Sequence, residues 1–293
     1  MKKNLKSLLQ KGRFNLSALA LAIATAYAPA KAEPMRIVAG EDGVAAYAKG
    51  VLKIVLSKLP ERFEWDESTP STTEARITQM LIDNKLDLVW LATTNDFEDR
   101  LHPIRIPLYK GLFGYRIFMI KRGTQNRFEG IQNLQDITRL SIGQGRLWAD
   151  TDIMEANGID VVKVTKYESL FYMLDGDRFD AFPRGVHEPW YEMARYPDLE
   201  LTVEKNIMMS YPNAFYFFVN KDNTALAEKI ERGFRIAIED GSFDEYFFND
   251  PTVTNVLKNA NLASRKVIKL RNPLLPPKTP LEDKALWFDP STL

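Results

Sequence analysis

TTEARITQMLIDNKLDLVWLA, residues 72 to 92, contains the change of period that decides the fold. Through Lys85 the apolar residues Ile77, Met80 and Leu81 fall on one helical face, and Thr72 or Thr73 stands where an N-cap hydroxyl belongs. From Leu86 the helical spacing ends, and LDLVWLA (86–92) is apolar almost throughout for a strand's length. Such a run fits a strand covered on both faces, as in a parallel sheet. A helix feeding a buried strand is the repeating unit of an α/β fold.

The unit recurs on both sides. Upstream, MRIVAG (35–40) reads as a strand and AAYAKGVLKIVLSKL (45–59) as an amphipathic helix stopped by Pro60. Downstream the pattern restarts. LSIGQG (140–145) is a strand running into glycines, ADTDIMEANG (149–158) a helix closed by Gly158, and VVKVT (161–165) a strand. YESLFYMLDG (167–176) is then a helix ended by Gly176, and FDAF (179–182) a short strand. AFYFFVN (214–220) and TALAEKIERGFRIAIEDG (224–241) return to a strand and a long amphipathic helix. From Pro273 to Pro290 five prolines mark an extended tail on the surface. The order predicts two α/β lobes, with residues 122–218 inserted between the halves, 33–121 and 219–293, of the first.

The first 32 residues stand outside this scheme. A cationic start without acids precedes an apolar, alanine-rich run from Phe14 to Tyr27, and Ala30-Lys31-Ala32 supplies a small-x-small cleavage pattern. This reads as a signal peptide cut after Ala32, because the apolar run is short of the roughly 20 residues a membrane span needs. Removing Lys2, Lys3, Lys6, Lys11, Arg13 and Lys31 leaves 33 basic against 39 acidic residues, a net charge of −6. A mildly acidic, mixed surface argues against nucleic acid and anionic membranes as partners. With no cysteine, neither a disulfide nor a lipid anchor on a thiol is available.

Four stretches carry a resemblance: MLIDNKLDLVWLATT (80–94), FEGIQNLQDITRLSIGQG (128–145), YESLFYMLDGDRFDAF (167–182) and KIERGFRIAIEDGSFDEYFFND (229–250). In this order, over nearly the whole mature chain, they resemble the type II periplasmic solute-binding proteins, including the amino-acid-binding proteins of ABC importers. The resemblance implies two lobes, each a mixed sheet with helices on both faces. Two hinge strands, at 114–123 and 214–221, would join them, and a solute would be held in the cleft as they close. It further implies a monomeric periplasmic protein, not an enzyme, without cofactor or metal, that hands a small-molecule solute to an inner-membrane ABC permease. Two alternatives share the scaffold: a sensor docking on a membrane receptor, for which the prolines and aromatics of 274–290 offer a surface, and a dehydratase-like enzyme. The enzyme would use Glu188 with His187, the only obvious acid–base pair.

Departures from the family pattern direct attention to particular residues. Amino-acid binders carry Thr-x-x-Arg after the third strand; here Thr94 is followed at that spacing by Phe97, with Arg100 further on. The aspartate expected about five residues after the Asp-Ala pair is replaced by Gly185. Both anchors of a free amino acid are thus missing or displaced. Arg184, between Pro183 and Gly185 at a strand end, offers a planar fork suited to a carboxylate or phosphate, making an anionic solute the expectation. The structural alternative for Arg184 is an ion pair with Glu188 or Asp180. In GQGRLWADT (143–151), Arg146 can add charge and Trp148 a stacking wall, while Asp150 or Thr151 can cap the next helix. Arg146 reads equally as a solvated cation and Trp148 as packing. In the first lobe Glu41 can pair an ammonium. Thr93 and Thr94 can donate hydroxyls, or one of them can simply cap the helix that follows.

Overall fold

The computed structural model describes residues 34–40 and 43–292. The predicted leader and Glu41 lie outside the described residues. Among the described residues twelve strands form four groups. β1 (Met35–Val38) and β2 (Trp65–Thr69) pair in parallel, and β3 (Val89–Ala92), β4 (Leu101–Ile104) and β11 (Phe215–Asn220) form an antiparallel sheet in the order β3-β11-β4. A larger sheet runs in the order β12 (Lys266–Lys269), β10 (Ile207–Ser210), β5 (Tyr115–Lys121), β8 (Phe182–Gly185), with β9 (Leu201–Val203) also on β5. β6 (Ile142–Gly145) and β7 (Val161–Val164) pair in parallel, and an Ile142–Ala181 bridge joins β6 to the chain entering β8. The sheets are mixed and the class is α/β, as the sequence indicates.

The deciding stretch folds as its period suggests, with one correction. The helix Glu74–Ile82 forms with Thr73 at its N-cap, the hydroxyl accepting from the Arg76 N–H. The strand is not in a parallel ladder: β3 runs antiparallel to β11, with Trp90 opposite Phe217. Its apolar character has another cause. Val89, Leu91, Tyr216 and Phe218 pack to one side, while Phe217 packs to the other against Phe234 of the helix Thr224–Glu239. Two covered faces demand apolar residues at every position, whatever the strand polarity. That helix lies directly on the helix Gly43–Ser57, because a side chain at Gly233 would strike the Val55 carbonyl. Each of Val51, Leu52, Val55, Ile230 and Phe234 is fully buried, about 1.5–3 kcal/mol of transfer energy apiece.

Two short crossings, Gly111–Tyr115 and Ser210–Phe215, carry the chain between the two larger sheets, and a longer helical passage leads from β11 to β12. β5 pairs only with strands of the larger sheet and β11 only with β3 and β4, so each crossing lies just before the strand expected to form a hinge. The two crossings touch, the Tyr211 N–H donating to the Gly114 carbonyl at 3.1 Å. A Cβ at Gly114 would drive into the Tyr211 carbonyl, so this approach requires glycine.

The tail leaves β12, a strand the sequence reading did not identify, and straps across both crossings. Asn272 donates to the Pro212 carbonyl at 2.9 Å, Phe288 N–H to Lys110 at 2.7 Å, and the Tyr115 hydroxyl to Phe288 at 3.2 Å. Leu286 and Phe288 are buried and the Trp287 indole covers Gly111. These apolar groups face inward and are not a ready surface for a receptor. Among the described residues no helix is long and apolar enough to cross a membrane.

Candidate functional site

Beside the crossings lies a cavity of ≈ 290 Å³. Ala92 at the end of β3, with Phe113, Asn213 and Phe215 from the crossings, forms one part of its wall. Arg116, Trp148, Asp150, Arg184, His187 and Glu188 form the rest. A cavity of ≈ 350 Å³ elsewhere is lined by Val38, Gly40, Glu74 and Trp90, so Trp90 faces this second space and not the cleft. That cavity presents one charged side chain; the cleft presents four.

Arg184 reaches the cleft because strands alternate. In β8 it shares a face with Phe182, and its guanidinium lies 4.9 Å from the Phe182 ring centroid, 5.0 Å from Trp148 and 5.9 Å from Tyr167. Trp148 can lie there because Gly145 has no Cβ to meet the indole. Two of the fork's three nitrogens are already engaged. Its Nε donates to both oxygens of buried Glu192, and the same terminal nitrogen donates to Glu192 at 2.6 Å and to Glu188 at 2.5 Å. The ion-pair alternative therefore holds in part: Glu188 is a partner, Glu192 is a partner the sequence did not suggest, and Asp180 instead meets Arg127 at 3.0 Å. Burial opposes the Arg184 charge, and the two glutamates reverse that, raising its pKa.

Arg116, one residue into β5, is the second buried guanidinium. Its Nε donates to Asp150 at 2.6 Å, another nitrogen bonds the Phe113 carbonyl, and the group sits 4.9 Å over the Tyr211 ring. Asp150 also accepts from the Tyr211 hydroxyl. Burial alone would raise the Asp150 carboxyl, but Arg116 and the Tyr211 hydroxyl hold it below its ordinary value. Asp150 is no cap: Trp148 occupies the N-cap of the helix Ala149–Ala156, and the Thr151 hydroxyl donates to the Gly145 carbonyl at 2.7 Å. Arg116 was missed because an arginine in an apolar strand reads as an edge residue; nothing in its spacing points at Asp150.

His187 stacks on Phe113 with centroids 4.2 Å apart. Burial, then the positive charges of Arg116 and Arg184, push its pKa down to about 3, so the ring is neutral. Glu188 is committed to Arg184 and to the Gly185 N–H at 2.6 Å. The carboxylate of the acid–base pair that the sequence suggests is thus already bound to a guanidinium and a backbone N–H.

Of the ligand-binding residues expected from sequence, Trp148 and Arg184 meet at the cleft, joined there by Asp150, His187 and Glu188, which the sequence offered in other roles. Thr93 and Thr94 stand beside Ala92, but Thr93 donates to Glu98 at 2.9 Å and Thr94 accepts from the Phe97 N–H as the cap of the helix Asn95–Arg100. Arg146 turns away, its guanidinium donating to the Thr165 hydroxyl at 3.3 Å. Glu41 lies outside the described residues.

The sequence matches no protein-family profile. It also matches no curated protein. Solved structures do match. One is the probable amino-acid ABC transporter extracellular-binding protein ytmK from Bacillus subtilis, at 16% identity over 70% of this chain and 87% of that one, TM-score 0.54. Another is the GluR0 ligand-binding core in complex with L-glutamate, at 12% identity over 75% of this chain and 99% of that one, TM-score 0.53. Identities this low speak to architecture alone. The chain has the α/β, two-lobed fold of the type II periplasmic binding proteins.

Proposed function

We propose that this protein captures a small polar solute in the cleft beside its two crossings and presents it to an inner-membrane partner. The observation that carries the reading is the cavity of ≈ 290 Å³, lined by charged and aromatic side chains from both sides of the crossings. A space of that size, with aromatic walls and converging charged groups, suits a small polar molecule. Of the solutes the sequence suggests, an amino-acid-like one matches a lining that carries both charges better than a carboxylate alone. Trp148 and Phe113 supply flat walls, and Asn213 a neutral donor and acceptor. Arg184 and Trp148 are the residues proposed to hold the solute on the second-lobe side.

The lobes are proposed as 33–121 with 219–293, and 122–218, the strand β12 lying across the division on β10. The leader would direct the chain to the periplasm, where it acts as a monomer. The partner is an ABC permease; a membrane-bound sensor is the alternative, since the fold alone does not choose between them. The reading is non-enzymatic.

Thermal unfolding across amino acids, di-acids, short peptides, polyamines and sugar acids tests it. A solute at ~1,000 times its dissociation constant stabilises the native state by about 4 kcal/mol. For a chain of this size that is a rise of roughly 8 to 16 °C. The effect should weaken at least tenfold in concentration in Trp148→Ala. No shift with any solute would count against capture.

A further inference from the structure

We infer that Glu188 sets the charge of the solute this cleft accepts, favouring ammonium groups and turning away net anions. The inference rests on the solute-capture reading and deepens it. Arg184 has two carboxylate partners of different kinds. Glu192 is buried, its side chain 5% exposed, and is also held by the Tyr167 hydroxyl at 2.6 Å. Glu188 is 30% exposed and lines the cavity. It holds Arg184 with one oxygen at 2.5 Å and the Gly185 N–H with the other at 2.6 Å. A guanidinium and a backbone N–H gripping one carboxylate is the pattern with which a protein holds an anionic ligand. Glu188 already fills it.

The charges agree with this. Arg116 is balanced by Asp150 and Arg184 by Glu192, while His187 is neutral. Glu188 is then one negative charge in excess among the described groups around the cleft. Its position is fixed by the chain, since a Cβ at Gly185 would come within 2.8 Å of both its carboxylate and the His187 ring. A net anion must compete with Glu188 for Arg184 and lie beside a carboxylate already in excess. A solute ammonium instead offsets that excess negative charge, with the Trp148 and Phe113 rings nearby.

The test uses four-carbon chains that differ in end-group charge: putrescine, 4-aminobutyrate and succinate, titrated calorimetrically into wild type and Glu188→Gln. The expected wild-type order of affinity is putrescine, then 4-aminobutyrate, then succinate, with at least tenfold between the extremes. In Glu188→Gln succinate should gain and putrescine lose, each by tenfold or more, with Glu188→Asp restoring the wild-type order. Succinate binding wild type as tightly as putrescine, or an order unchanged in Glu188→Gln, overturns the role of Glu188 and leaves solute capture standing. If none of the three binds, the solute found by thermal unfolding decides: one of net negative charge overturns the inference. No binding by any solute to either protein overturns solute capture itself, and this inference with it.

Discussion

Arg116 and Arg184 are the same residue in nearly the same setting, and they do different things. Both are buried guanidiniums at the cleft, each lying over aromatic rings and each gripped by a carboxylate. Arg116 has one carboxylate partner: Asp150, with the Phe113 carbonyl and the Tyr211 ring, holds it at the cavity wall, and the pair ties β5 to the helix Ala149–Ala156. Arg184 keeps one partner inside and one at the cavity wall. A guanidinium with a single carboxylate partner depends on it for the framework, whereas one with two can release the partner at the wall to what enters and stay neutralised.

Removing the counter-ion from each arginine is the most direct way to break the comparison. Asp150→Asn strands a buried guanidinium and should cost about 3 kcal/mol, toward the lower end for a broken buried pair because Asp150 is 21% exposed. Chemical denaturation would show this as a lowered midpoint with an unchanged slope. Glu192→Gln should cost about 1–3 kcal/mol, because a neutral amide still bonds Arg184 while Glu188 remains. His187, between the two arginines, sharpens the contrast through pH. Its folded pKa is depressed to about 3 while the unfolded ring titrates near 6.5. The unfolded state therefore binds the extra proton, and stability falls as pH drops from about 6.5 toward 3. Between pH 6.5 and 5 the loss should be about 2 kcal/mol, and His187→Gln should flatten that slope in melting curves. Glu188→Gln should be the mildest change, under about 1 kcal/mol, since Glu192 still neutralises Arg184. An equal loss in Asp150→Asn and Glu188→Gln would erase the distinction.

Much of the fold was legible because its signals are local. The helices Gly43–Ser57, Tyr167–Asp175 and Thr224–Glu239 follow apolar periodicity and breakers at Pro60, Gly176 and Gly241. Strand polarity was not legible: 86–92 is buried on both faces, and β11, its partner, comes from far along the chain. β2, β4, β9, β10 and β12 were missed; WDEST and KVIK, for two, carry no clear alternation of buried residues. At the site, Pro183-Arg184-Gly185 was conspicuous because proline and glycine bracket a charge. Glu192 was not, since it sits on a helix whose burial shows only once Tyr167 and Arg184 are placed around it. Arg146 stood out for its neighbouring glycines, but those serve Phe179 and Trp148, which lie against Gly143 and Gly145.

The position of β11 between β3 and β4 bears on the order in which the molecule can be made. A chain synthesised from its N-terminus presents β3 and β4 long before their central strand exists. Every strand of the larger sheet except β12 is made in the interval. Until β11 arrives, β3 and β4 each have an edge with free N–H and C=O groups, the surfaces from which chains aggregate. The smaller sheet therefore cannot close by local folding. It waits for the rest of the chain, and the strap from Asn272 to Phe288 can settle only after both sheets are in place.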